Sequence, residues 1–518
     1  MQKKIKNNVI SGTLALSAAA LLTKIFGVIF KVPLSYLLLD EGMGYFNSAY
    51  TIYGFFYVLS CAGLPKAVTI VVAEINKDNH GEIYAFLKRI VKYSFFIGIA
   101  FSLIYTALAP VFSYILGNSK TLPCLLAIAP CIVCVTVCGV IRGYLNGNMT
   151  FLPIAISQII EAILKLGVGL ALAYLAKSAG LGLNMISAFS IFGITVGCII
   201  STFYLLIISK RGKTSENIRQ NNTLSVKYYF SKILKIAVPI TLSSALLSLS
   251  GIFDLGIIIN RLEGIGVSKA EAMALYGNYT TLAIPMLNLV TALLMPLSVA
   301  YLGKLSTLVH CGKMNDFSYN INKSIDFIGF AAAPCMMAYY FYAFDILDIL
   351  FEVTSSALGY RLLIVISPAV LLLPLLTMIN TALEACGGVY YAIWSLLGGA
   401  FIKIILSYFL IGNPAIGIMG AAISTVVSYF ISIIISTLLL KIKGINNISF
   451  GRVIKCVSAS LLSFGLIFYA LYMEVNAKYS IISAPLSCFL SLILYFALLF
   501  LVALFKKYGK KLLILHKI

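Results

Sequence analysis

The sequence predicts an all-α polytopic membrane protein of about fourteen transmembrane helices, built from two parallel six-helix repeats and two further C-terminal helices. Three observations predict this fold class. Hydrophobic residues make up 61% of the 518 residues and charged residues 11%, whereas soluble domains carry about 25% charged residues. Apolar windows long enough to cross a bilayer recur along the chain, and the chain matches itself at a constant offset.

The apolar windows define the predicted helices. A transmembrane helix needs about 20 mostly apolar residues, because lipid offers no partner for exposed backbone groups. The first window is longer than the apolar core of a signal peptide and lacks a cleavage pattern, so we expect a retained helix. The predicted spans are 9–38, 44–75, 88–115, 121–145, 151–176, 181–209, 232–260, 270–302, 321–344, 358–383, 388–411, 415–441, 451–472 and 479–505.

The basic residues predict the orientation. With the N-terminus inside, the inner segments hold 27 of the 38 Lys and Arg residues, and short cytoplasmic loops carry such an excess. We therefore expect a protein of the cytoplasmic membrane with both termini cytoplasmic. The net charge of +21 mostly reflects this topology. It favours contact with anionic membrane lipids and does not indicate nucleic-acid binding.

An internal repeat organises the chain. Four residues recur 231 positions later, namely Tyr45, Asn47, Pro65 and Gly81 as Tyr276, Asn278, Pro296 and Gly312. Leu145 and Lys165 recur 238 positions later as Leu383 and Lys403. Each half holds six helices, an even number, so the repeats are parallel, as in one class of alternating-access transporter. The predicted domains are an N-lobe (1–209), a basic cytoplasmic linker (210–231), a C-lobe (232–441) and an appendage with a basic tail (442–518).

Ionisable residues inside the spans are the candidate functional residues, since such residues normally face a bundle interior or a watery cavity. Glu161 and Lys165 share a face of the fifth helix and are expected to pair there. The alternative is that this pair merely locks two helices together. Lys403, the repeat mate of Lys165, lacks this partner because position 399 is Gly.

The first and seventh helices add further charges. Lys24 and Lys31 share a face of the first helix, and Lys31 alternatively reaches the outer surface. Asp254 and Arg261 are likewise seven residues apart on the seventh helix, and a pair between Asp254 and Lys24 is a further option. The lysines outnumber the deep acids, so the interior is predicted to be cationic and to favour an anionic substrate group.

The sequence thus yields a set of candidate site residues. The cationic cavity is predicted to consist of Lys24, Lys31, Lys165, Arg261 and Lys403. Glu161 and Asp254 would tune these charges or couple an ion, and Gln158, Asn47 and Asn278 would give polar support. An inner turn or gate is predicted to include Arg142, Gly143, Tyr144 and Gly147, with Arg142 contacting lipid headgroups or substrate.

Several chemistries find no support in the sequence. Cys131, Cys134 and Cys138 share a helix face without a nearby histidine or acid, so we interpret them as packing residues and expect no metal. No ATP-binding loop, zinc-protease motif or nucleophile elbow is present. We therefore expect neither an enzyme nor a cofactor. Transport would be downhill or coupled to the membrane potential, Na⁺ or H⁺.

Four stretches carry a family resemblance, at residues 23–50, 62–74, 142–165 and 253–266. They resemble the stage V sporulation protein B branch of the multidrug/oligosaccharidyl-lipid/polysaccharide (MOP) exporter superfamily, which includes the lipid II flippases. The resemblance implies two six-helix bundles in a V around a central cavity, two extra helices, and basic residues at Lys24, Lys31 and Arg261. Asn146 and Lys66 depart from the family pattern, and Lys66 adds charge near the cytoplasmic side that would shift substrate preference.

This resemblance implies a flippase for an undecaprenyl-diphosphate-linked glycan, such as a peptidoglycan precursor or a polysaccharide repeat unit. We expect the protein to be a monomer. Two alternatives stay open. A cation-coupled multidrug antiporter of the same superfamily would use Asp254 or Glu161 to bind a proton or sodium, but it favours an acidic interior. A non-transporting scaffold for wall or spore-coat synthesis would not need charges at mid-bilayer.

Overall fold

The computed structural model describes residues 2–78, 83–116, 118–211, 226–351, 353–445, 447–472 and 485–500. Over these residues the chain is overwhelmingly helical and contains no β-strand, so the predicted all-α class is confirmed. Most of the predicted linker and the whole basic tail beyond residue 500 lie outside the described residues.

Eighteen helices are found in the described part of the chain. They are α1 (Gln2–Cys61), α2 (Leu64–Asp78), α3 (Ile83–Ile115), α4 (Leu122–Ile128), α5 (Cys131–Gly147), α6 (Leu152–Ser178), α7 (Leu183–Arg211), α8 (Val226–Gly264), α9 (Lys269–Asn278), α10 (Ile284–His310), α11 (Met314–Phe341), α12 (Ala343–Leu350), α13 (Val353–Ile366), α14 (Ala369–Ala385), α15 (Val389–Ile411), α16 (Met419–Ile442), α17 (Gly451–Ile467) and α18 (Pro485–Phe500). A π-turn, Tyr279–Ala283, joins α9 to α10.

Ten segments among the described residues are long and apolar enough to cross a membrane, so the protein is a multi-pass membrane protein. The first two predicted spans form one such segment, because α1 continues through a kink at Leu39 (φ 56°). The predicted spans 232–260 and 270–302 lie in α8 and α9–α10, which are helical but outside these ten. The number fourteen stays a prediction.

Backbone contacts divide the chain into two compact units. Unit 1 comprises Met1–Thr281 together with Ser407–Ile418, and unit 2 comprises Leu282–Leu406 together with Met419–Ile518. The predicted lobe boundaries remain a prediction. Unit 1 contains α1–α9 and the end of α15, and unit 2 contains α10–α14, most of α15, and α16–α18.

In unit 1, glycines allow α6 and α7 to approach closely. A Cβ added to Gly193 would lie 2.4 Å from the Cα of Gly169, so the two backbones touch at this point. Helix association in membranes depends on such close packing, because lipid is as apolar as the side chains and gives little hydrophobic driving force. Gly167, two residues before Gly169, has open space at its Cβ position.

A second row of glycines joins α5 to α2. A Cβ on Gly143 would lie 2.6 Å from the Pro65 carbonyl oxygen, and a Cβ on Gly147 would lie 2.7 Å from the Val72 side chain. The predicted inner turn is therefore misplaced, because Arg142, Gly143, Tyr144 and Gly147 all belong to α5 and the chain turns only after it. These two glycines permit helix packing and do not bend the backbone.

In unit 2, α14 packs against α10 and α16, and α11 packs against α14 and α17. A buried polar contact joins three of the helices. The Asn380 side-chain oxygen accepts hydrogen bonds from the hydroxyls of Ser395 and Ser436, at 3.1 and 2.7 Å. These contacts satisfy polar groups that would otherwise be costly to bury.

We expect Gly193→Ala to destabilise the protein by about 1–3 kcal/mol, because the added methyl group forces two helix backbones apart. The midpoint of thermal unfolding in detergent measures this effect. Gly167→Ala is the matched control on α6, and it should leave the midpoint unchanged or raise it slightly. Equal midpoints for the two variants would contradict the close contact.

Candidate functional site

The Lys31 side chain lies between α1 and the π-turn within unit 1. Its ammonium group donates hydrogen bonds to the Thr280 carbonyl oxygen at 2.8 Å and to the Asn47 side-chain oxygen at 3.3 Å. The Asn47 amide donates in turn to the Thr281 hydroxyl at 2.8 Å. The alternative that Lys31 reaches the outer surface is wrong, because these contacts hold its ammonium group half-buried in the protein.

The π-turn explains why a backbone carbonyl is available to Lys31. The i→i+5 pattern of a π-turn pairs the carbonyl of residue 280 with the backbone nitrogen of residue 285, and position 285 is a proline. Proline has no N–H to donate. The Thr280 oxygen is therefore left for a side chain, and Lys31 supplies the donor. Single π-turns inside α-helices are frequent at functional sites.

Lys165 on α6 faces two aromatic rings of α1. Its ammonium group lies 4.8 Å from the ring centre of Tyr50 and 5.5 Å from that of Phe30. Such cation–π contacts partly replace water around an ammonium group. Lys31 and Lys165 lie near enough to interact electrostatically. The structure therefore brings these two predicted cationic residues together.

The predicted ion pair between Glu161 and Lys165 is not formed. Glu161 instead accepts a hydrogen bond from the Arg142 guanidinium group at 2.9 Å, and this contact joins α6 to α5. Arg142 also donates to Ser157 at 3.3 Å and to Ser201 at 3.5 Å, while the Cys198 thiol donates to Glu161 at 3.6 Å. Arg142 thus has a structural ion-pair partner, which neither of its two predicted contacts included.

Arg261 and Asp254 lie on α8 and contact the end of α15, within unit 1. The Arg261 guanidinium group donates to the Tyr408 carbonyl oxygen at 3.1 Å and lies 4.2 Å from the centre of the Tyr408 ring. A Cβ on Gly412 would collide with the guanidinium group, so this glycine makes room for it. Asp254 is buried and accepts a hydrogen bond from Ser407 at 3.4 Å.

The remaining predicted residues are more scattered. Lys24 is exposed on α1, and no ion pair joins it to Asp254 among the described residues. Lys403 belongs to unit 2 and is half-buried. Asn278 donates to Asp40 at 3.2 Å. The side-chain oxygen of Gln158 is buried without a hydrogen-bond partner.

The sequence interpretation missed several contacting residues. Phe30, Tyr50 and Tyr408 hold the cationic groups through their rings, and no local motif marks them. Pro285, five residues after Thr280, was the one available signal for the free carbonyl group. Among the described residues, no cluster of three or more potential metal ligands is present.

The second repeat has uncharged residues at the positions equivalent to this ion-pair network. The offset of 238 residues places Asn380 at the position of Arg142, Ser395 at that of Ser157 and Ser436 at that of Cys198. The same helices are thus joined by an amide and two hydroxyls in unit 2, and by a guanidinium and a carboxylate in unit 1. Charge is not needed to hold this helix packing together.

The helical fold and the charges within its apolar helices define a multi-pass helical membrane protein. The chain belongs to the polysaccharide biosynthesis protein family, whose model matches residues 9–302. Stage V sporulation protein B of Bacillus subtilis is 26% identical over 430 residues, which cover 81% of each chain. Lipid II flippase MurJ of the same organism is 23% identical over 465 residues, which cover 84% of this chain and 83% of MurJ.

Solved structures share the fold. A lipid II flippase MurJ in an inward closed conformation aligns with a TM-score of 0.69 at 15% identity, covering 96% of this chain and 99% of that one. An inward-facing multidrug MATE transporter of the MOP superfamily aligns with a TM-score of 0.64 at 12% identity, covering 81% and 94%. The resemblance drawn from the sequence is confirmed.

We expect the Arg142–Glu161 contact to show energetic coupling. Arg142→Gln and Glu161→Gln should each destabilise the protein, because each leaves one charge unpaired between helices. The side chains are 19% and 32% exposed, so solvent weakens the pair, and a coupling of about 1–2 kcal/mol is expected. Thermal unfolding of both single variants and the double variant in detergent measures it. Additive effects would contradict the pair.

Proposed function

We propose that the protein is a flippase that moves a polyprenyl-diphosphate-linked glycan across the cytoplasmic membrane by alternating access. Family membership and the likeness to stage V sporulation protein B and MurJ support this proposal. The observation that carries it is that Lys31 and Lys165 have no acidic partner among the described residues. Neither forms an ion pair with any described acid, although both lie in apolar helices.

The charge balance of unit 1 favours an anionic substrate group. Glu161 is engaged by Arg142, and Asp254 accepts from Ser407. The two lysines are left with neutral partners, namely carbonyl oxygens and aromatic rings. A diphosphate can therefore bind these lysines without first breaking an ion pair between them and a carboxylate of the protein.

Lysine suits a transport step that must also release its cargo. Its ammonium group is a point charge without the fixed bidentate geometry of arginine. The Asn47 and Thr280 oxygens hold Lys31 when no substrate is bound, and they accept it again after release. The protein thus exchanges hydrogen bonds from Lys31 to neutral oxygens for hydrogen bonds to an anion, and this limits how tightly the diphosphate is trapped.

We infer a monomer with cytoplasmic termini, which contacts anionic lipids through its basic loops. The driving force is the membrane potential, Na⁺ or H⁺. Glu161 and Asp254 are the candidate ion-coupling residues, and Lys24, Arg261 and Lys403 are proposed to extend the cationic path. Transport, rather than catalysis, is proposed as the sole activity.

We expect Lys31→Gln to abolish function while leaving the protein in the membrane, because the variant removes a charge without changing the helix packing. The test replaces the resident lipid II flippase by this protein in a conditional-depletion strain and scores growth. Lys24→Gln and Arg261→Gln are tested in the same way. Lys269→Gln, at the exposed start of α9, is the charge-matched control and should support growth.

The outcomes separate the alternatives. Growth with every intramembrane lysine neutralised would contradict the flippase and support a scaffold. Resistance to organic cations that depends on Asp254 or Glu161 would support the antiporter. If the unaltered protein is well expressed in the membrane but does not support growth, the proposed substrate becomes a lipid-linked glycan other than the peptidoglycan precursor. Transport of labelled polyprenyl-diphosphate glycans in liposomes then identifies it.

A further inference from the structure

A crevice in unit 1 runs between α3, α5 and α7. It measures about 440 Å³, which lies within the range of about 300–1,000 Å³ typical of ligand pockets. Its walls are formed mainly by apolar side chains, including Val133, Val137, Ile199, Phe203 and Leu206. The crevice is separate from the cationic residues proposed to bind the transported diphosphate.

The hydroxyl of Thr202, in the wall of the crevice, is already engaged. The Thr202 hydroxyl donates to the Cys198 carbonyl oxygen at 2.6 Å and lies 3.0 Å from the Cys138 thiol. The wall therefore offers a ligand almost no hydrogen bonding along its length. A hydrocarbon chain is the chemistry that fits such a surface, since an empty apolar cavity is costly.

Two lysines mark one end of the crevice. Lys88 and Lys92 are one helical turn apart on α3, both are exposed, and both line the crevice. Neither forms an ion pair with a residue that the structure describes. They lie at the end of α3 that the charge distribution predicts to be cytoplasmic. Basic pockets at this depth bind the headgroups of anionic lipids.

In the second repeat, the equivalent helix face is covered by another helix of the protein. At the offset of 231 residues, the α3 positions 88, 91, 92 and 95 correspond to Tyr319, Asn322, Lys323 and Asp326 on α11. In unit 2 the appended helix α17 covers this face, through an ion pair between Arg452 and Asp326 and through Val453 packed against Gly329.

In unit 1 the corresponding positions are apolar where α11 is polar. Val91 and Phe95 stand in place of Asn322 and Asp326, while Lys92 and Lys323 match. Among the described residues, no helix enters the crevice in the way that α17 covers α11. The partner of this face in unit 1 therefore has an apolar body and an anionic end.

We propose that this crevice binds one anionic phospholipid, with an acyl chain between α3, α5 and α7 and the phosphate at Lys88 and Lys92. The chain's own segment 501–518 is a poor occupant, because it carries five lysines that Lys88 and Lys92 would repel. A polyprenyl diphosphate shares the chemistry of the phospholipid, and the experiment separates the two.

The test is native mass spectrometry of the full-length protein, extracted in mild detergent, delipidated and titrated with phosphatidylglycerol or phosphatidylcholine. We expect one phosphatidylglycerol to bind ahead of any phosphatidylcholine. Lys88→Gln/Lys92→Gln should weaken the first binding step by about 30-fold. Val133→Phe fills the crevice without changing its charge and should also abolish that step. Lys441→Gln/Lys455→Gln removes two exposed lysines elsewhere and should have no effect.

Each other outcome overturns the proposal. Unchanged binding in both crevice variants places the lipid elsewhere. Loss in the double lysine variant with full binding in Val133→Phe indicates headgroup association at the surface without an inserted chain. Preferential binding of added undecaprenyl diphosphate over phosphatidylglycerol assigns the crevice to the substrate. A lipid-free dimer assigns it to a second copy of the chain.

Discussion

The cost of placing charge in hydrocarbon governs how this chain is built. In unit 1, four charged side chains illustrate how this cost is met. Glu161 meets Arg142, Lys31 meets a carbonyl and an amide oxygen, and Lys165 and Arg261 meet aromatic rings. Most of these partners come from other elements, so the compensation of charge also joins different elements of unit 1.

The buried charges differ in whether their partner is charged or neutral, and this difference has functional meaning. The Arg142–Glu161 contact is complete within the protein, and its equivalent in unit 2 is neutral. The same helix contact is therefore made by charged groups in unit 1 and by uncharged groups in unit 2. The Lys31 and Lys165 ammonium groups, by contrast, have only neutral partners. An ammonium group solvated by dipoles alone attracts an anion more strongly than one that already holds a carboxylate.

The sequence predicted the fold class and most helices, because hydrophobicity over about 20 residues is a strong signal. It also placed Asn47 near the site, through the repeat. It paired Glu161 with the wrong residue, because periodicity along one helix reveals only neighbours on that helix, and Arg142 lies on another. The partners of Lys165 and Arg261 could not be predicted for the same reason. The Thr280 oxygen was missed because a backbone acceptor leaves no mark in composition.

The π-turn also bears on how alike the two halves are. The offset of 231 residues holds both before it, at Asn278, and after it, at Pro296. No residue has therefore been inserted relative to the first repeat, where α1 runs without a π-turn to Cys61 and the chain breaks only before Leu64. The two segments are equal in length but depart from regular α-helix at different points. The second repeat does so at the π-turn, directly after Asn278, and the first does so only before Leu64. The two repeats thus follow different backbone paths here, although neither has gained or lost a residue relative to the other over this stretch.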